Sequence, residues 1–158
     1  MLQTQADQRV LGYLGRALSL ELSAVQLYST QAQLLGAWGL TKASERFRTE
    51  VTEELGHAER IIGRMLALGV SPNASQLRPV QLGENLSALL ANAYAFENEL
   101  VTLYQQAVGH CARIGDHDNR VFFATLLEEE QEHAKALLQW RNEVEYSEQQ
   151  HSSAGITF

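Results

Sequence analysis

Steps of three and four along the chain pick out four apolar seams. The first runs through Leu11, Leu14, Leu18, Glu21, Val25, Tyr28, Ala32 and Leu35, the second through Leu40, Ala43, Phe47, Val51, Glu54, Ala58, Ile61, Met65 and Leu68. The third takes in Leu86, Leu90, Ala93, Glu97, Leu100, Tyr104, Ala107 and Cys111, and the fourth Phe123, Leu127, Glu130, Ala134 and Leu137. Positions three and four apart share one side of a helical turn, so each seam predicts a helix with a single buried face. Turn formers interrupt the pattern at "LLGAWGLT" (34–41), at "LGVSPNASQLRPVQLGE" (68–84), which holds both prolines, and at "RIGDHDNR" (113–120). Helices are therefore expected over about 5–36, 40–69, 84–112 and 117–146. The closing "SEQQHSSAGITF" (147–158) lacks an amphipathic pattern and reads as a short or disordered C-terminal segment, a frayed tail or a short extra helix. The expected fold is all-α: one domain over 1–158, a four-helix bundle of two hairpins joined by a long crossover.

Each seam is broken once, near its middle, by a glutamate. The breaks are related by an internal repeat: Glu21 and Glu97, Tyr28 and Tyr104, Glu54 and Glu130, and His57 and His133 are all 76 residues apart (97 − 21, 104 − 28, 130 − 54, 133 − 57). "EELGHA" aligns with "EEQEHA", and "ELSAVQLY" with "ENELVTLY". The two hairpins are thus related and are expected to pack about a pseudo-two-fold axis. The midpoint between Glu21 and Glu54 falls in the first turn, and that between Glu97 and Glu130 at the edge of the last. With a constant rise per residue on both arms, all four glutamates return to one layer of the core.

Four buried carboxylates repel one another and cost several kcal/mol each to desolvate unless something compensates them. The seams place no lysine or arginine at that height. Two divalent cations would give a neutral cluster, and His57 and His133, one turn on from Glu54 and Glu130, could each cap one of them. Carboxylate-rich, imidazole-capped sites suit iron or manganese better than zinc or calcium. One glutamate from each of two helices and Glu-x-x-His from each of the other two is the general di-iron carboxylate arrangement. Glu-x-x-His alone is weak: Glu148 and His151 in the tail match it by accident. The other two pairs stand out because they face the seam at repeat-equivalent positions.

Composition narrows the function further. A net charge of −7 disfavours nucleic-acid and anionic membrane surfaces and suits a protein that gathers cations. The single cysteine, Cys111, excludes an internal disulfide framework and reads as a small core residue. Neither a secretory signal nor an apolar stretch of about 20 residues is visible, so a cytoplasmic protein is expected. Tyr28 and Tyr104 read as core aromatics whose hydroxyls meet nearby carboxylates, with Tyr28 also a candidate hydrogen-bond partner of a metal-bound glutamate and an electron donor. Trp38 reads as a plug of the first hairpin turn. Glu53, Glu99, Glu128, Glu129 and Glu132 are expected to face outward.

On Glu21, Glu54, His57, Glu97, Glu130 and His133, with Tyr28 and Trp38 in support, the chain over 8–145 resembles the ferritin-like superfamily and the bacterioferritins within it. The resemblance implies a ferroxidase and iron-storage protein that binds two iron ions per subunit, oxidises Fe(II) to Fe(III) with O2 or H2O2, and mineralises it inside a 24-subunit shell. It implies that Glu54 and Glu130 bridge the metals, that Glu21 and Glu97 are terminal ligands, and that each histidine completes one iron. Bacterioferritins bind haem between two subunits through a methionine on each. Here that position is Leu55, which offers no lone pair to iron, and the only methionines are Met1 and Met65. The sequence therefore argues against a haem b ligated symmetrically by this chain and leaves open a mixed shell with a haem-binding paralogue. The same six ligands could also serve a di-iron oxidase or oxygenase on an organic substrate, although two plain hairpins leave little room for a substrate pocket.

Overall fold

The computed structural model describes residues 6–72 and 76–154. Among them lie four α-helices: α1 (Gln8–Ala37), α2 (Thr41–Ala67), α3 (Leu86–Ile114) and α4 (His117–Ala154). α1 begins at Gln8 because Asp7 caps it, its carboxylate accepting from the backbone N–H groups of Arg9 and Val10 at 3.0 and 3.1 Å. Asn85 caps α3 in the same way through Ala88 N, at 2.9 Å. The turns after α1, α2 and α3 each use a glycine in the left-handed region (Gly39, Gly69 and Gly115, φ 78°, 77° and 74°), where a Cβ would be strained.

The last helix runs further than the seam pattern predicts. α4 continues through Ala154, so residues 147–154 are helix and not a separate tail, while 155–158 lie outside the described residues. This extension has no apolar face, but once a helix is nucleated each added residue costs little, and Glu, Gln, Ser and Ala do not stop it.

α1 packs on α2 and α3 on α4, and the two hairpins join chiefly along α1 and α3. The backbones of α2 and α4 stand further apart, and this gap is crossed by long side chains: Phe47 to Trp140, Arg64 to Asn119 and Arg60 to Glu129. The apolar core forms two slabs. One holds Leu14, Leu18, Ile61, Met65, Leu100 and Phe123, the other Leu27, Leu35, Phe47, Leu90, Leu137 and Trp140. Cys111 lies in the first slab, fully buried. Trp38 does not plug its turn: it is the C-terminal cap of α1 and stays 38% exposed, because only three residues link α1 to α2 and its side chain lies beyond the end of the helix pair's buried face.

Candidate metal centre

Between the two apolar slabs lies the glutamate layer. Glu21, Glu54, Glu97 and Glu130 have no exposed surface, and His57 is buried with them. Each of the four helices contributes one glutamate because each seam carries its single acid at the same height. His57 and His133 enter from α2 and α4, with their rings stacked 5.8 Å apart.

Two groups of ligand atoms result, each with all its atoms within 4.8 Å of one another: Glu21, Glu54, His57 and Glu130, and Glu50, Glu54, Glu97 and His133. The histidines reach across the hairpins. His57 Nδ1 lies 2.6 Å from Glu130 Oε1, and His133 Nδ1 lies 2.9 Å from Glu54 Oε1. The tyrosines cross as well: Tyr28 donates to Glu97 Oε1 and Tyr104 to Glu21 Oε1, both at 2.6 Å. Burial, followed by the neighbouring carboxylates, lifts both phenols well above 10, so they remain donors.

Three residues at this site escape the seam pattern. Glu50 joins the second group from one turn before Glu54, and burial raises its carboxyl above the usual range. Glu53 and Glu129, expected to point away, bend back to the outer nitrogens of His133 and His57. Their doublets "EE" at 53–54 and 129–130 obey the same repeat (129 − 53 = 76), which is the signal that could have found them.

The electrostatics require a cation or its equivalent. Burial, helped by the neighbouring Glu54 carboxylate, pushes the Glu21 carboxyl up to about 8, and burial likewise raises Glu97 and Glu130. Glu54 moves the other way: burial opposes its charge, but the proximity of the Glu21 carboxyl and of the His133 and His57 imidazoles prevails. Burial also opposes charge on the imidazoles, yet the surrounding carboxylates raise His57 to about 12 and His133 to about 10. Without a metal, protons must balance the four acids. Even so, one oxygen on each of Glu21, Glu50, Glu54, Glu97 and Glu130 is buried with no hydrogen-bond partner. Buried polar atoms are nearly always paired, so five orphans in one layer mark positions that a cation would satisfy. The donor set, carboxylate oxygens with two imidazole nitrogens, fits iron or manganese.

Residue Leu55 lies away from this layer, 44% exposed on α2. Among the described residues no helix is long and apolar enough to cross a membrane.

A ferritin-like domain model matches residues 11–146. Over 133 residues the chain is 35% identical to the bacterioferritin of Rhodobacter capsulatus, covering 84% of this chain and 83% of that one. The bacterioferritin of Brucella melitensis is 30% identical over 82% of this chain and 80% of its own. In three dimensions the fold overlays a 2.6 Å structure of the Rhodobacter capsulatus bacterioferritin, which has a metal-free dinuclear site and its haem iron in a crystallographic special position. The TM-score is 0.86 at 33% identity, covering 90% of this chain and 89% of that one. A glutamate-histidine layer at the centre of two repeated hairpins, in a chain that matches these relatives over most of its length, places it in the ferritin-like family, and the chain belongs to the bacterioferritins.

Proposed function

We propose that this chain is the ferroxidase subunit of an iron-storage shell, with Glu21, Glu54, His57, Glu97, Glu130 and His133 as the ligands of two iron ions. Five orphaned carboxylate oxygens converging between two histidines carry the reading. Iron here is substrate: two Fe(II) ions would enter and together give two electrons to O2, which takes up two protons to become H2O2, or to H2O2, which takes up two protons to become two waters, and Fe(III) would leave for the mineral. Glu54 belongs to both groups, and Glu130, a member of the first, also lies 3.4 Å from His133 Nδ1 of the second, so these two would bridge the ions, with Glu21 and Glu97 as terminal ligands on opposite sides. Binding displaces the protons that the cluster otherwise shares, so the buried charge stays near zero before and after loading. Tyr28 and Tyr104 would keep Glu97 and Glu21 oriented through their 2.6 Å hydrogen bonds, and Tyr28 is read as the candidate electron donor. The apolar slabs above and below keep the site rigid.

The domain is read as single over 1–158, the assembly as a cytoplasmic 24-subunit shell, and the partners as iron and its oxidant, with no nucleic acid and no membrane. Leu55 supports a subunit that does not ligate haem b itself, alone or beside a haem-binding paralogue. Anaerobic Fe(II) titration should saturate near two ions per chain, and Glu54→Ala should lose rapid oxidation. Fast oxidation persisting in that variant would refute the ligand assignment.

A further inference from the structure

The outer side of each histidine carries a carboxylate that the six-ligand reading does not use. His57 Nε2 lies 3.0 Å from Glu129 Oε2, and His133 Nε2 lies 2.6 Å from Glu53 Oε2. Each histidine is thus sandwiched between an inner acid at Nδ1 and an outer acid at Nε2. In both cases the two acids are sequence neighbours on the opposite hairpin: Glu129–Glu130 for His57, and Glu53–Glu54 for His133. When Nδ1 gives up its proton to receive a metal ion, an acid beside Nε2 holds the remaining proton on that nitrogen and keeps the Nδ1 lone pair aimed at the centre.

The repeat that creates this symmetry is broken at two positions. Arg60 donates to Glu129 Oε2 at 2.6 Å, but its repeat mate is Ala136, so no arginine holds Glu53. Glu50, with Oε2 3.7 Å from His133 Nδ1, has Leu126 as its mate, so the His133 side carries an additional acid. His133 is also the more open of the two, with 15% of its side chain exposed against 7% for His57.

We propose that Glu129 and Glu53 are positioning residues that orient His57 and His133 for metal from across the hairpins, and that Arg60, clamping Glu129 alone, makes the His57 position the tighter of the two. This rests on the two-metal reading above. The purpose of the exposed acids is then not only to attract cations: they fix which imidazole nitrogen faces the centre.

The test is stepwise anaerobic Co(II) titration of the full-length protein, followed by the visible absorption of bound cobalt, with His57→Ala and His133→Ala marking which step belongs to which position. Wild type should show two unequal steps, the tighter one lost in His57→Ala. Glu129→Ala should weaken that same step by about 10–100-fold and leave the other within a few-fold, and Glu53→Ala should do the reverse. Glu129→Gln, which keeps an oxygen beside Nε2, should recover most of the loss, and Arg60→Ala should bring the two steps closer together. Equal weakening of both steps by either alanine variant, or equal losses for Gln and Ala at 129, would assign the effect to general charge and overturn the positioning role. Two equal steps in wild type would overturn the part played by Arg60. Absence of cobalt binding in wild type would overturn the two-metal reading together with this one.

Discussion

Raising the pH should lower the melting temperature of the metal-free protein, and a bound divalent cation should remove that trend. Glu21 is fully buried, and its carboxyl sits at about 8 against 4.5 in an open chain, through burial first and Glu54 second. Between those values the folded protein holds a proton that the unfolded chain has released. Its contribution is therefore complete below pH 4.5 and falls by about 1.4 kcal/mol per pH unit until the folded value is passed. His57 and His133, raised from 6.5 to about 12 and about 10, act in the same direction: their contribution is complete below pH 6.5 and is lost as the pH rises through the folded values. Glu54, shifted below its ordinary value, has finished titrating before pH 6. From pH 6 to 8, Glu21 and each histidine would separately remove about 2 kcal/mol, but protons shared within one cluster are not additive, and roughly 3 kcal/mol is expected for the set. For a chain of this size that is a fall in Tm on the order of 6–12 °C. The assay is a thermal melt by circular dichroism at pH 6, 7 and 8, in EDTA and with stoichiometric Zn(II). With metal in place of the protons, the three melts should agree within a few degrees. EDTA melts that coincide, or that rise with pH, would show that shared protons do not balance the buried carboxylates.

Tyr28→Phe and Tyr104→Phe each leave a buried carboxylate oxygen without its donor, on Glu97 and Glu21 respectively. Each should cost the metal-free protein about 1–3 kcal/mol, read as a lower Tm in EDTA. Asp7→Ala removes the cap of α1 and the 2.8 Å contact to His110; a lower midpoint in urea unfolding is expected. Trp140 packs against Phe47 and lies under the Arg46 guanidinium, 3.8 Å from the ring centre, in the gap between α2 and α4. Trp140→Ala should therefore cost about 3–5 kcal/mol, and faster amide exchange near Phe47 and Leu137 would locate the loss.

Periodicity alone settled a good deal of this protein. Residues three and four apart must share a helix face, so the seams placed Glu21, Glu54, Glu97 and Glu130 in the core, and the equal arm lengths placed them in one layer. The 76-residue repeat ties His57 to His133 in the same way. The turns were legible because glycine, proline and capping residues act within a few positions along the chain. Long-range geometry was not legible in the same way. That Tyr28 bonds to Glu97 and not to Glu21, and that each histidine meets the acids of the opposite hairpin, depends on how the hairpins pack, which no local pattern encodes. Glu53 and Glu129 stand one position off the seam and looked solvent-facing, yet a three-bond side chain can turn back to a histidine when the gap between α2 and α4 is wide. The continuation of α4 to Ala154 was hidden because a solvated helix needs only permissive residues, not an apolar stripe. Which carboxylates exist, and at what height, was a property of the sequence. Which of them meet, and through which atoms, was decided by the tertiary structure, because side chains several ångströms long select their partners only after the backbones are in place.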